Sequence, residues 1–342
     1  MFYHVRGVFR KLPLMDEPKE SLTSGTERTP PQPAPSEEGL VYLEQPPPLA
    51  KRVHSVFIGR DGLRAGWRLL WYLVMAATVL FLCGTLVRYL MHHYSRGAGS
   101  GRIWLGMLGE FGLLVAAVVP AFIMARIEKR PFDAYGLPRH SAFGKLFWAG
   151  AAWGIVALTI LMLLMRGAGV FYFGGFALHG LRILEFAGYW CVFFLVVGFF
   201  EEFLMRGYTQ FTLTQAIGFW PAAVLLSILF GAVHLGNEGE AWIGACAASF
   251  IGFFFCLTLR RTANLWFAVG FHASWDWGET YLYSVPNSGT TAPGHLLSSS
   301  FHGSRWLTGG SVGPEGSVLV FVLIALLWVA FDRVYPEVKY PV

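Results

Sequence analysis

An all-α, polytopic membrane bundle is the architecture the sequence predicts, and three observations predict it. The 342 residues are 55% apolar and 16% aromatic, only 14% are charged, and mean hydropathy is +0.50, outside the usual range of soluble domains. From Arg64 onward the sequence also breaks into apolar runs close to the ~20 residues that cross a hydrocarbon core of ~30 Å. About eight such helices are expected, at 68–91, 103–126, 144–166, 183–213, 219–236, 241–259, 263–284 and 315–332. The fourth exceeds one bilayer thickness, so it is either strongly tilted or ends in an interfacial segment over 208–216.

The remaining segments are justified by composition. Residues 13–48 are rich in proline, serine, threonine and glutamate and cannot bury enough surface to fold, so residues 1–63 form a disordered tail. Helices in 64–182 come next, then 183–284 with the polar motifs described below, then 285–342 with a polar loop, a last helix and a tail. The loops 167–180 and 286–316, rich in glycine with phenylalanine or with serine and proline, face water. Residues 1–20 are mixed and charged, so no cleavable signal is expected and the first helix directs insertion.

The net charge of +5 comes largely from basic residues at the ends of apolar runs, including Lys51, Arg52, Arg60, Arg64, Arg68 and Arg126 to Arg130. Such residues anchor helices at anionic headgroups, so the lipid bilayer, and not nucleic acid, is the expected partner. If every helix crosses once, most basic flanks fall on one side, which places both termini in the cytoplasm and the protein in the plasma membrane. Arg88, Arg96 and Arg102 fall on the other side. Cys83, Cys191, Cys246 and Cys256 lie in apolar runs without C-x-x-C spacing and read as buried small hydrophobes.

The run 196–206 places Glu201, Glu202 and Arg206 inside sequence apolar enough to cross a bilayer. At roughly 2.5–3.5 kcal/mol for each charge at mid-helix, three cost on the order of 8 kcal/mol unless something relieves them. Glu202 and Arg206 stand four apart and can pair, whereas Glu201 is rotated about 100° away toward another neighbour. Two further polar stations follow, Phe230 to His234 and His272 to Asp276. Glu201 and His234 are 33 apart with their midpoint at 217–218 and Pro221 just beyond. A helical hairpin turning there returns the two side chains to similar depth. His272 and Asp276, four apart, share one helical face. Glu110, Glu185 and Glu279 lie nearer helix ends or stand alone and read as interfacial or structural.

A carboxylate, two imidazoles and a further hydrogen-bonding group in a water-poor cavity are the parts of a hydrolase. The carboxylate and one histidine take a proton from water, and donors hold the oxyanion formed when that water attacks an amide.

The three stations resemble the motif set of the CPBP family of intramembrane proteases, also called the Abi or type II CAAX prenyl protease family: E-E-x-x-x-R, then F-x-x-x-H, then H-x-x-x-N or a related residue. Here they read Glu201-Glu202-Phe203-Leu204-Met205-Arg206, Phe230 to His234 and His272 to Asp276. The resemblance covers about 183–284 and implies a glutamate-dependent endopeptidase, without cofactor, cutting a membrane-associated peptide or protein near the membrane surface. It implies Glu201 as general base on water, His234 as its partner, His272 with Asp276 at the oxyanion, and Glu202, Arg206 and Phe230 as supports. Asp276 departs from the asparagine of the eukaryotic prenyl proteases. An ionised aspartate repels an oxyanion, so it is either protonated or orients His272.

Three alternatives remain at this level. Zn2+ held by His234, His272 and a glutamate makes a metalloprotease, although no H-E-x-x-H occurs. A proton-coupled transporter uses the same residue types, but no inverted repeat of interrupted helices is visible. A non-catalytic immunity or binding protein is the third.

Overall fold

The computed structural model describes residues 57–59, 62–94, 100–237 and 239–340. The proline-rich tail expected over 1–63 lies outside the described residues except for 57–59 and 62–63, which form a two-stranded ribbon of β1 (Ile58–Gly59) and β2 (Gly62–Leu63). Beyond it the architecture is helical apart from one short strand pair. Nine principal helices follow in the described residues: α1 (Ala65–Tyr94), α2 (Ser100–Ile127), α3 (Lys145–Gly167), α4 (Leu181–Arg206), α5 (Tyr208–Ile217), α6 (Phe219–His234), α7 (Trp242–Thr262), α8 (Trp266–Trp277) and α9 (Val318–Val334).

Among the described residues, five segments are long and apolar enough to cross a membrane: Ala65–His93, Leu105–Ile127, Lys145–Gly167, Leu181–Ile217 and Trp242–Thr262. The expected count of eight is therefore not met by length. The difference lies in helices that local chemistry ends early. α6 has 16 residues, about 24 Å at 1.5 Å per residue. α8 has 12 residues and then widens into one π-turn, Gly278–Leu282, in which Tyr283 N donates to Gly278 O. α9 has 17 and cannot begin before Val318, because the Ser317 hydroxyl accepts from Leu319 N as a cap. The long fourth run is resolved by a break at Gly207, which divides it into α4 and α5.

The α5–α6 turn falls at Gly218, as the hairpin reading expects. Its φ of 87° is one that a side chain rarely adopts. Pro221 sits in the first turn of α6, where a missing N–H leaves no hydrogen bond unmade.

Small residues set the closest helix pair. A Cβ on Gly150 or Gly154 of α3 would collide with the Phe267 or Phe271 carbonyl of α8, and one on Gly270 with the Phe147 carbonyl of α3. Backbones can meet this closely only where side chains are absent, the usual device for helix association in lipid, where apolar burial drives little. Around this pair Leu158, Leu161, Phe254, Phe267, Phe271 and Phe331 pack from α3, α7, α8 and α9. α1 turns Phe81, Leu82 and Leu86 outward, as a lipid-facing helix does.

Two expectations are corrected here. Arg68 is not a headgroup anchor: it is buried and pairs with Glu128 at 3.0 Å, and Gln215 and Tyr208 complete the network that ties α1, α2 and α5 together. Of the four cysteines only Cys256 is buried; Cys191 and Cys246 are exposed on helix surfaces.

Loops 167–180 and 286–316 are more than connectors. β3 (Phe171–Tyr172) pairs antiparallel with β4 (Ser300–Phe301), Phe171 facing Phe301, and Phe176 bridges to Leu297. Gly289 N donates to Val312 O at 3.0 Å, which folds the second loop back upon itself beside the bundle.

Gly270→Leu is expected to lower the stability of the detergent-solubilised chain by at least about 2 kcal/mol, since the added volume has no room between two backbones. Gly188→Ala, on an exposed part of α4 with open space around it, is expected to be neutral or slightly stabilising. Thermal unfolding of both variants checks this, and equal effects would contradict the packing described.

Candidate functional site

The charged run in α4 is relieved from within the bundle. Arg206, 1% exposed, closes a salt bridge from Nη1 to Glu202 Oε1 at 3.2 Å, and Glu202 itself is 0% exposed. The guanidinium lies over the Phe230 ring at 4.4 Å and faces Phe255 at 5.9 Å, so cation–π attraction adds to the pairing. Gly252 of α7 makes this possible, because a Cβ there would occupy the position of Arg206 Nη2. A buried pair gains little net stability over an apolar one, yet removing one partner is costly.

Glu202 also sets the first histidine. His272 Nδ1 donates to Glu202 Oε1 at 2.9 Å, which turns Nε2 toward Glu201 Oε2 at 3.6 Å and Asp276 Oδ2 at 3.4 Å. His234 Nδ1 donates to the Phe230 carbonyl one turn back, at 2.8 Å. A carbonyl is only an acceptor, so the proton of neutral His234 is on Nδ1 and Nε2 keeps its lone pair. That Nε2 lies 4.0 Å from Glu201 Oε2. Glu201 Oε2 makes no protein hydrogen bond; the two imidazole nitrogens are its polar neighbours. Phe230 is more than packing, with Arg206 over its face and the His234 ring 4.6 Å away.

All seven residues singled out in the sequence thus meet: Glu201, Glu202 and Arg206 from α4, Phe230 and His234 from α6, His272 and Asp276 from α8. Close approach of α4 and α8 at Gly198, where a Cβ would stand 3.1 Å from Ala273 N, brings the first and third stations together. Glu201, Phe230, His234, His272 and Asp276 line a cavity of about 300 Å³. Its lining is mixed, with apolar Trp190, Phe193, Leu323 and Ile324 as well as polar Asn287, Ser288, Thr290 and Glu315.

Two acids that line this cavity, Glu110 and Glu315, and two outside its lining, Glu240 and Glu279, were not legible as site residues. Glu110 of α2 lines the wall, although its place in the sequence reads as structural. Glu315 reaches the cavity from a loop, where it accepts from Ser288 N at 3.0 Å and Ser288 Oγ at 2.7 Å. Burial, reinforced by Asp276, raises the Glu315 carboxyl above the usual range, and the Ser288 hydroxyl opposes the shift. Burial likewise raises Glu240 in the α6–α7 loop, against the Ala241 N–H it accepts. Glu279 was readable in principle: His272, Asp276 and Glu279 fall at i, i+4 and i+7, one helical face.

Both histidines hold Nδ1 in a hydrogen bond and present Nε2 toward Glu201, the second-sphere arrangement that metal-bound imidazoles use. The donor set His234, His272 and Glu201 therefore suits Zn2+ by chemistry, as it suits a metal-free acid–base pair.

Residues 183–278 match the family model of type II CAAX prenyl endopeptidases, Rce1-like, a segment that contains all three motifs and supports an intramembrane protease. Over it the resemblance to the CPBP family holds. Comparison with curated proteins and with solved structures returned no match.

Arg206→Met leaves Glu202 buried without its counter-charge and is expected to cost about 3–5 kcal/mol. Adding Glu202→Gln should recover most of that loss, because the amide oxygen still accepts from His272. Thermal unfolding of the single and double variants measures this, and additive losses would contradict the pairing.

Proposed function

We propose, from the protease match and the groups around Glu201, that this chain is an intramembrane endopeptidase that hydrolyses a peptide bond with water activated by Glu201 and His234. The observation that carries the reading is the Glu201 carboxylate set between two imidazole Nε2 atoms at 3.6 and 4.0 Å inside a cavity. Water hydrogen-bonded to Glu201 and to the His234 lone pair is oriented and polarised for attack. Glu201 takes its proton as the oxygen adds to the scissile carbonyl. His272, as an imidazolium that donates Nδ1–H to Glu202, presents its Nε2–H to the developing oxyanion, and Asp276 orients the ring. Glu201 then returns the proton to the departing amine, so the peptide bond breaks without net proton exchange.

Substrates are membrane-associated peptides or proteins. The apolar lining of the cavity suits a lipid-embedded segment or a prenyl chain, and its polar lining suits the peptide to be cut. Basic flanks keep both termini on the cytoplasmic side of the plasma membrane. That requires an even number of crossings, so at least one of the shorter helices also crosses. A zinc-dependent protease is the second reading, favoured by the tethered Nδ1 atoms; there the metal held by His234, His272 and Glu201 would supply a polarised water. A non-catalytic immunity or binding protein is the third, and the same experiment addresses it.

Proteomics of membrane-anchored peptides, comparing cells with the wild-type chain and cells with Glu201→Gln, tests the proposal. A set of uncleaved peptides should accumulate with the variant, and cleavage of one of them by purified protein should fall by about 10²–10⁴-fold. Wild-type cleavage should survive a chelator. Loss restored by zinc contradicts the metal-free mechanism, and a biological effect that Glu201→Gln leaves intact contradicts catalysis.

A further inference from the structure

Next to Glu201 and the histidines, and sharing Asp276 with them, three carboxylates converge. One oxygen each from Asp276 at the end of α8, Glu279 in the π-turn and Glu315 in the loop before α9 lie within 4.8 Å of one another. Proximity of acids alone is not a site, since carboxylates often gather at wet surfaces. Here Glu279 supplies the second observation. It is 0% exposed, and neither of its oxygens makes a hydrogen bond of acceptable geometry. The Trp275 indole lies beside it, while its charged neighbours Glu315, Asp276 and Glu240 are all acidic. Among the described residues no arginine or lysine forms an ion pair with any of the three carboxylates.

We propose that Asp276, Glu279 and Glu315 bind a single hard divalent cation of calcium's size. The chemistry is that of calcium sites: oxygen ligands alone, drawn from separate elements, with charged carboxylates. The spacing agrees. Oxygens on opposite sides of a calcium ion, at 2.3–2.6 Å each, stand about 4.6–5.2 Å apart, so three oxygens within 4.8 Å can share one ion. Zinc, which prefers nitrogen and sulfur in a tetrahedron, suits this set poorly. The Ser288 hydroxyl, 2.7 Å from Glu315 Oε2, holds that carboxylate from the loop side.

Bound there, the ion fastens the loop before α9 to the end of α8, adding to the hydrogen bonds by which Asn287 reaches the Asp276 carbonyl and Ser288 reaches Glu315. It also answers the difficulty posed by an aspartate at position 276. A cation on Asp276 offsets the charge that would oppose an oxyanion near His272, whose Nε2 is 3.4 Å from Asp276 Oδ2. Cation binding itself does not depend on the protease reading, and it is measured without turnover.

Terbium(III), which occupies calcium's oxygen sites and luminesces when a nearby tryptophan is excited, is the probe for the purified full-length chain in detergent. Trp275 beside Glu279 makes a suitable donor. Saturable tryptophan-sensitised luminescence displaced by Ca2+ is expected, together with a rise in unfolding temperature on adding Ca2+. Glu279→Gln and Glu315→Gln should each weaken binding by at least about tenfold. Glu185→Gln, at an exposed position of α4, should leave it unchanged. In chelator, Glu279→Gln should unfold at or above the wild-type temperature, because it removes an uncompensated buried acid. Absence of both saturable luminescence and calcium-dependent stabilisation in the wild-type chain overturns the proposal, as does wild-type affinity in Glu279→Gln.

Discussion

Charge does not stay inside a bilayer uncompensated, and the buried contact of Arg206 with Glu202 is what this bundle is arranged around. Glu202 serves two partners through one oxygen, the guanidinium on its own helix and the His272 imidazole on α8. By taking Nδ1 it dictates which way the ring faces. The adjacent Glu201, turned by one residue, is left to look into the cavity. Neighbouring acids thus acquire different surroundings, one fully enclosed and paired, the other at the wall of a space large enough for substrate. Phe230 and Gly252 share in this, the first under the guanidinium and the second by having no side chain where its nitrogen lies.

Backbone proximity supplies the precision. Glycines at the α3–α8 and α4–α8 contacts let helices approach until main-chain atoms touch, and rigid helices hold side chains better than loops do. The loops contribute to the cavity wall, bringing an acid and hydroxyls to it, and are held by a short strand pair and a few main-chain bonds. The cavity wall is therefore mixed, with apolar side chains of the helices beside acids and hydroxyls of the loops.

Much of this was legible in the sequence. Helical geometry alone pairs Glu202 with Arg206, places His272 and Asp276 on one face, and puts a turn at Gly218 that returns His234 to the level of Glu201. What escaped was whatever depends on chain far away. Arg68 resembles a headgroup anchor until Glu128, sixty residues on, folds against it. Glu315 carries no periodic signal, because a loop's own hydrogen bonds decide where it goes. The count of eight crossings is not confirmed by helix length, since hydropathy cannot register a serine cap or a π-turn that stops a helix short.

Whether Glu201 and His234 act on one water is the central claim, and a double-mutant cycle on cleavage rate tests it most directly. Groups that work as a unit lose nearly everything when either is removed. For Glu201→Gln, His234→Ala and the double variant, with folding verified for each, the account predicts a double variant little slower than the worse single one. Losses that multiply, as for independent sites, would contradict it.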